Sequence, residues 1–188
     1  PRPLPGQLDA EEGGRLVDDL TRFRGTILVL TGGDPMLRPD LEDLAARAAD
    51  GGLKVALTPS ATARVTPARL AALRAAGVSQ MAISLDGPDP ETHDALRGVR
   101  GSFARTLRIA DDVRAAGFPL QVNSTLTRAS AGALEAMAEP VAATGAAARS
   151  GAFLVPTGRA PRAVLPPPAG PRPARAPPLP HPPRLAAA

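Results

Sequence analysis

Cysteine is absent from all 188 residues. That excludes disulfides, thiolate–metal sites and iron–sulfur ligation from within the chain. Tryptophan and tyrosine are absent too, leaving four phenylalanines as the only aromatics. Recognition of single-stranded nucleic acid by base stacking is therefore not expected. No run approaches the ~20 consecutive apolar residues that a membrane span needs, and no charged-then-apolar leader opens the chain. The expectation is a cytoplasmic protein with neither a membrane nor a nucleic-acid partner. The first residue is Pro1 rather than Met, which reads as a fragment, a processed product or an incompletely described reading frame.

Charge is unevenly placed. The whole-chain pI near 11.0 suggests a polyanion binder, yet residues 1–158 hold 17 Arg or Lys against 18 Asp or Glu, a net of −1. Residues 159–188 hold five Arg and no acid, a net of +5. The basicity belongs to the tail and says nothing of the folded part's partners. Eleven of the 23 prolines also fall in those last 30 residues. A Pro/Ala/Arg-rich stretch of this kind cannot form helix or sheet interiors and is expected to be extended or disordered. Out-of-frame translation of a GC-rich gene accounts for its composition better than a proline-rich recognition motif does. The chain divides into a core, 1–158, and a low-complexity tail, 159–188.

Within the core, short apolar runs alternate with amphipathic stretches. Asp9 and Glu12 read as a capping box opening a helix with Leu16, Val17, Leu20 and Phe23 on one face. Thr26 to Thr31 is a continuous apolar run suited to a strand buried on both faces. Pro39 starts a helix with Leu41, Leu44, Ala45 and Ala48 inward, stopped by Gly51-Gly52. Lys54 to Thr58 is a second strand; Thr66-Pro67 opens a helix ending at Gly77. Gln80 to Leu85 is a third strand, and Ser102 caps a helix with Phe103, Leu107, Ala110 and Val113 inward, ending at Gly117. Leu120 to Thr125 is a fourth strand, a helix follows from about Ala131 to Thr144, and Ala152 to Val155 is a fifth strand. Strand then helix, repeated, marks parallel βα units. Right-handed crossovers leave a doubly wound sheet or a partial, open βα barrel.

In either architecture the functional face lies at the carboxyl ends of the strands, and the unusual residues gather there. They are Thr31-Gly32-Gly33-Asp34-Pro35, Thr58-Pro59-Ser60, Ser84-Leu85-Asp86-Gly87-Pro88, Asn123-Ser124-Thr125 and Pro156-Thr157-Gly158. Paired glycines let backbone groups approach a ligand closely, and a neighbouring carboxylate can hold an ammonium group. The hydroxyls of Ser60 and Ser84 with the carboxylate of Asp86 suit a ribose or an amino-acid carboxylate. Taken singly, each of these groups also reads as ordinary loop chemistry.

Together they resemble one family. Thr31 to Leu41 looks like the Gly-Gly-Glu motif of radical S-adenosylmethionine (SAM) enzymes, with Asp34 in place of Glu. Ile83 to Pro88, followed by His93-Asp94, Leu96-Arg97-Gly98 and Gly101-Ser102-Phe103, is similar to that family's fourth-strand region. Val122 to Thr125 through Thr127-Arg128 resembles its fifth strand, and Phe153 to Arg159 its sixth. The resemblance covers about residues 7–160 and points to the branch with C-terminal auxiliary-cluster (SPASM) domains, which includes coenzyme PQQ, molybdenum-cofactor and haem d1 maturation enzymes. It implies a partial (βα)₆ barrel in which Gly32, Gly33 and Asp34 cradle the SAM amino group. It further implies that Ser60, Ser84 and Arg97 contact carboxylate or ribose, that Asp86 lies among them, and that Asn123 lies near the adenosine.

What the resemblance leaves unmatched matters as much. Family members carry a Cys-x₃-Cys-x₂-Cys loop after their first strand, whose thiolates hold a [4Fe–4S] cluster that reduces SAM to a 5′-deoxyadenosyl radical. No such loop stands in this chain, and the proline-rich tail occupies the place of the SPASM cysteines. The parent protein is then expected to use SAM, a cluster, an electron donor and a small-molecule or peptide substrate. The chain as written is not expected to catalyse. One alternative is a non-catalytic remnant of a truncated or frameshifted gene. Another is an unrelated βα-barrel enzyme acting on a phosphorylated metabolite, which predicts Gly-rich phosphate turns in the late strands that the tail does not supply. His93 reads as surface helix-start chemistry, Asp111-Asp112 as a solvated helix face, and His181 carries no weight. A barrel without its first strand exposes an apolar edge, so aggregation is expected.

Overall fold

Reciprocal bonds between Asp9 and Glu12 start the first helix. The Asp9 carboxylate accepts from the Glu12 N–H at 2.8 Å, and the Glu12 carboxylate accepts from the Asp9 N–H at 3.0 Å, which satisfies two otherwise orphaned groups. A computed structural model describes residues 6–23, 25–127 and 133–153. Helix α1 runs Ala10–Thr21, strand β1 Ile27–Leu30, helix α2 Leu41–Asp50 and strand β2 Lys54–Leu57. Helix α3 follows at Pro67–Ala75, strand β3 at Val78–Ser84, helices α4 and α5 at Pro90–Arg97 and Ser102–Ala115. Strand β4 is Leu120–Leu126, helix α6 Ala138–Ala143 and strand β5 Ala148–Phe153. The expected loop at Pro156-Thr157-Gly158, the strand end Leu154-Val155, Arg128, the helix start at Ala131 and the tail 159–188 lie outside the described residues.

The five strands are parallel and stand in the order β1-β2-β3-β4-β5. That order decides between the two architectures. A doubly wound sheet reverses direction part-way and so covers both faces, whereas strictly sequential right-handed crossovers put every helix on the same face. Alternate strand residues therefore split cleanly. Val55, Leu57, Met81, Ile83, Leu120 and Val122 join Leu41, Leu44, Leu70, Leu73, Ile109 and Val113 in one buried cluster. The opposite face carries Ala56, Gln80, Ser84, Gln121 and Asn123, with Gln80 Nε2 donating to Gln121 Oε1 at 3.3 Å and Gln121 Nε2 to Asn123 Oδ1 at 2.7 Å. Helices on one side of a sequential parallel sheet are the arrangement of an open βα barrel.

Several local expectations shift. The inner face of α2 is Leu41, Leu44, Ala45 and Ala48, as its periodicity predicts. α1, by contrast, buries Gly13, Gly14 and Val17, while Leu16 and Phe23 stay 48% and 63% exposed. Close approach to α2 selects the small residues, and Phe23 lies beyond the last turn. β1 is not buried on both faces. Leu28 and Leu30 pack on the core, but Ile27 and Val29 are 55% and 50% exposed because no helix among the described residues covers their side. β5 begins four residues earlier than its apolar run suggests, drawn into register against Gln121 to Leu126. The polar segment Pro90–Arg97 forms a helix that the hydrophobic pattern does not announce.

Candidate functional site

The carboxyl ends of β1, β2 and β3 open into a cavity of about 360 Å³. Two loops, a strand end and two helices build it. Thr31, Gly32 and Gly33 come from the β1 loop, Thr58 to Thr62 from the β2 loop and Ser84 from the end of β3; His93, Arg97, Ser102, Arg105 and Thr106 form the far wall on α4 and α5. Of the residues the motifs single out, Gly32, Gly33, Ser60, Ser84 and Arg97 meet in this cavity. Asp34, Asp86 and Asn123 are not in its lining.

Gly32 has φ +132°, a conformation side chains resist. No atom lies within 4 Å of where a Cβ on Gly32 or Gly33 would stand, so bare backbone faces open space. The Asp34 carboxylate is occupied within the protein. One oxygen accepts from the N–H groups of Met36 at 3.1 Å and Ser60 at 3.3 Å, and the other from the Thr62 hydroxyl at 3.2 Å. The Ser60 hydroxyl donates to the Gly33 carbonyl at 3.1 Å. These bonds stitch the β1 loop to the β2 loop and fix the cavity's floor.

Asp86 does the same for the opposite side. It is only 2% exposed; one oxygen accepts from the Thr125 N–H at 2.7 Å and the other pairs with Arg97 at 2.5 Å. Its own N–H donates to His93 Nδ1 at 3.0 Å. Gly87 lets the start of α4 pack this closely, since a Cβ there would fall 2.5 Å from the backbone nitrogen of His93. Asn123 pairs in register with Ser84 on the uncovered sheet face, and its side chain accepts from Gln121.

His93 is not a surface residue. It is 1% exposed and meets the Phe103 ring edge-on with centroids 5.8 Å apart. Burial pushes its pKa below the usual histidine value; Asp86 opposes this, Arg97 adds to it, and Asp94 opposes it. With Nδ1 accepting from Asp86, the neutral ring carries its proton on Nε2. Nor does Ser102 cap α5. The Asp94 carboxylate accepts from the Phe103 and Gly101 N–H groups and from the Ser102 hydroxyl. The Phe103 bond is the chief cause of its lowered pKa, with Ser102, Gly101 and His93 adding to it against burial. An anion at a helix start suits the helix dipole.

No sequence motif marks Thr106, Arg105 or the buried state of His93. The signal for Thr106 was present, because Ser102, Thr106, Ile109, Ala110 and Val113 are the buried stripe of α5 and a hydroxyl on such a stripe needs a reason. Asp111 and Asp112 lie away from the cavity, as a solvated face would. Among the described residues no group of three His, Cys, Asp or Glu is placed to hold a metal, and the chain has no cysteine. The residues present do not fit an iron–sulfur cluster. No helix among them is long and apolar enough to cross a membrane.

Comparison with known proteins gives a consistent result. A family model described as the radical SAM superfamily matches residues 1–129. An AdoMet-dependent heme synthase of Nitratidesulfovibrio vulgaris is 39% identical over 158 residues, 84% of this chain and 43% of that protein. A PqqA peptide cyclase of Ruegeria pomeroyi is 37% identical over 122 residues, 65% of this chain and 32% of the relative. The chain thus spans less than half the length of these relatives. Among solved structures, Streptococcus suis SuiB bound to S-adenosylmethionine superposes with a TM-score of 0.72 at 16% identity, covering 87% of this chain and 37% of SuiB. Sheet order, one-sided helices, strand-end cavity and matched motifs agree: the chain belongs to the radical SAM superfamily.

Proposed function

We propose that residues 1–158 are the SAM-binding barrel core of a maturase that acts on a small molecule or a peptide, with 159–188 a separate low-complexity segment. The observation that carries this is the cavity itself, where bare backbone at Gly32-Gly33 faces the hydroxyls of Ser60 and Ser84 across the strand ends. In this reading the two glycines admit the methionyl part of SAM, and Ser60 and Ser84 hydrogen-bond its polar groups. Asp34 positions Ser60, and Asp86 positions Arg97 and His93, by the bonds described, and Asn123 lies toward the adenosine on the uncovered face. Bound SAM supplies a sulfonium centre that reductive cleavage turns into a radical source in this family.

The ligands for a reducing cluster are not among these residues, so no redox step is assigned to this polypeptide. The parent protein would need that cluster, an electron donor and a substrate. The names of the relatives, a heme synthase and a peptide cyclase, and of a SuiB complex with its precursor peptide SuiA, support a cofactor or peptide as that substrate. The reading of a non-catalytic polypeptide is favoured by one observation, the absence of cysteine.

Titration calorimetry with SAM tests the binding claim without requiring iron. Gly33→Leu is the informative variant. Its Cβ meets no atom, so the fold is expected to melt within ~2 °C of the parent, as for a surface change. Affinity should drop at least about tenfold, roughly 1.4 kcal/mol, because the side chain fills the space the ligand needs. Undiminished SAM binding in that variant would place the ligand elsewhere.

A further inference from the structure

Each strand from β1 to β4 hands the chain to the helix-bearing face of the sheet. α2, α3, the α4–α5 pair and α6 follow in turn, each crossing that face before the next strand. β5 has no such successor among the described residues. Its Arg149 and Gly151 pair in register with Val122 and Ser124, so they share the helix-bearing face with the core residue Val122. A groove of about 490 Å³ runs between this flank of β5 and α6 with its preceding turn, and its lining includes Leu126, Leu134, Met137, Val141 and Gly151. Leu134 is 50% exposed, and a Cβ on Gly151 would meet Leu126 at an ordinary 3.7 Å. The trough is apolar and open to solvent.

Reach and pattern both say what fits it. Residues 154–188 leave β5 at its carboxyl end. Leu134 and Glu135 stand at that same end, because the chain enters α6 from the carboxyl end of β4. Pro156-Thr157-Gly158 is turn chemistry, and residues 159–164 follow it. In polyproline II geometry those residues span about 19 Å, against roughly 20 Å for the length of β5.

Polyproline II repeats every third residue. Pro161 and Val164 therefore share one edge, Arg159 and Arg162 the next, and Ala160 and Ala163 the third. The apolar edge suits Leu134, Met137 and Val141. The cationic edge begins beside Glu135, exposed in the lining, and exposed Glu139 lies about one turn further along. Arg149 lines the groove from the amino-terminal half of β5, where the arriving residues Ala163 and Val164 carry no charge. Residues 159–188 contain no acid to pair with their own arginines.

We propose that residues 159–164 dock in cis along the α6–β5 groove as a polyproline II strap, with Pro161 and Val164 inward and Arg159 toward Glu135. The proline-rich segment then has its recognition surface within the same chain. The inference is independent of the SAM reading, and it leaves the tail from Leu165 onward unassigned.

The absence of cysteine makes the test direct. Spin labels on Ala142→Cys, exposed on α6 and outside the groove lining, and on Ala163→Cys, at the outward edge, report one distance in the full chain. Docking gives a single narrow distance distribution, whereas an undocked coil gives a broad one. Leu134→Asp places a charge in the groove at a half-exposed position, so the fold should stand while the narrow component is lost. Glu135→Arg should lower the docked fraction about threefold, and adding Arg159→Glu should restore it, as for an exposed ion pair.

A broad distribution in the parent overturns the strap. So does a narrow one that survives Leu134→Asp, because the segment would then sit elsewhere. Dipolar coupling between chains that each carry a single label would make a second copy the occupant and overturn docking in cis. No response to the charge exchange overturns the placing of Arg159 beside Glu135.

Discussion

The two faces of this sheet are made by the same strands and follow different rules. On the covered face, alternate residues such as Leu57, Met81 and Ile83 are at most 1% exposed and interlock with helix residues of similar kind. On the uncovered face, Ile27 and Val29 stand half in solvent, and an amide row from Gln80 to Asn123 crosses the middle. One face is held by non-directional apolar burial, the other by directional bonds, and the strand ends take their loops from both. The difference teaches that stability and ligand chemistry are separable here by side-chain parity alone.

The sharpest way to break that separation is Leu73→Ala. Leu73 is fully buried and packs under the sheet away from the cavity, so about 2–5 kcal/mol of stability should go. Urea denaturation should show this while ligand affinity of the still-folded fraction is unchanged. A loss of affinity in that fraction would mean the covered face shapes the site directly.

A smaller effect concerns pH, and it sits where the two regimes meet. His93 is neutral in the fold and its pKa is lowered by burial from 6.5. Below that unfolded value the denatured chain binds a proton that the native state refuses, so stability falls as pH drops from about 6.5 toward the lower folded value. Above it the curve from this group is flat. Asp86 and Asp94 favour the charged ring and Arg97 disfavours it, while the Phe103 ring stands at 69° to it. Thermal melts between pH 7 and pH 5 should slope less in His93→Asn than in the parent. Identical slopes would show that the imidazole titrates freely.

The smallest expected effect lies on the uncovered face. Val29→Thr should change stability by no more than ~0.5 kcal/mol, since the residue is half exposed. It should nevertheless lower self-association, because Ile27 and Val29 present an apolar edge. Light scattering against concentration would check this, and unaltered association would exonerate the edge.

Legibility followed the same division. The inner face of α2 and the capping box at Asp9 and Glu12 are local patterns, and both stand as read. So do the strand-end positions of Gly32, Gly33, Ser60 and Ser84, because each follows its apolar run directly. Helix α4 carries no hydrophobic period, because Pro90–Arg97 buries one residue, and that residue is a histidine. The burial of β1 is not legible for a different reason: an apolar run records suitability for two covers, while only neighbours in space decide how many arrive.

By itself, the sequence determined the alternation of strand and helix, the core stripe of α2, the grouping of polar residues at strand ends and the absence of thiolate ligands. These depend on period, composition and short-range capping, which act within a few residues. Tertiary structure alone decided that the strands run in sequential order with helices on one face, that Asp94 rather than Ser102 caps α5, and that Asp86 claims Arg97. Those outcomes depend on contacts between segments distant along the chain, whose geometry no local pattern encodes.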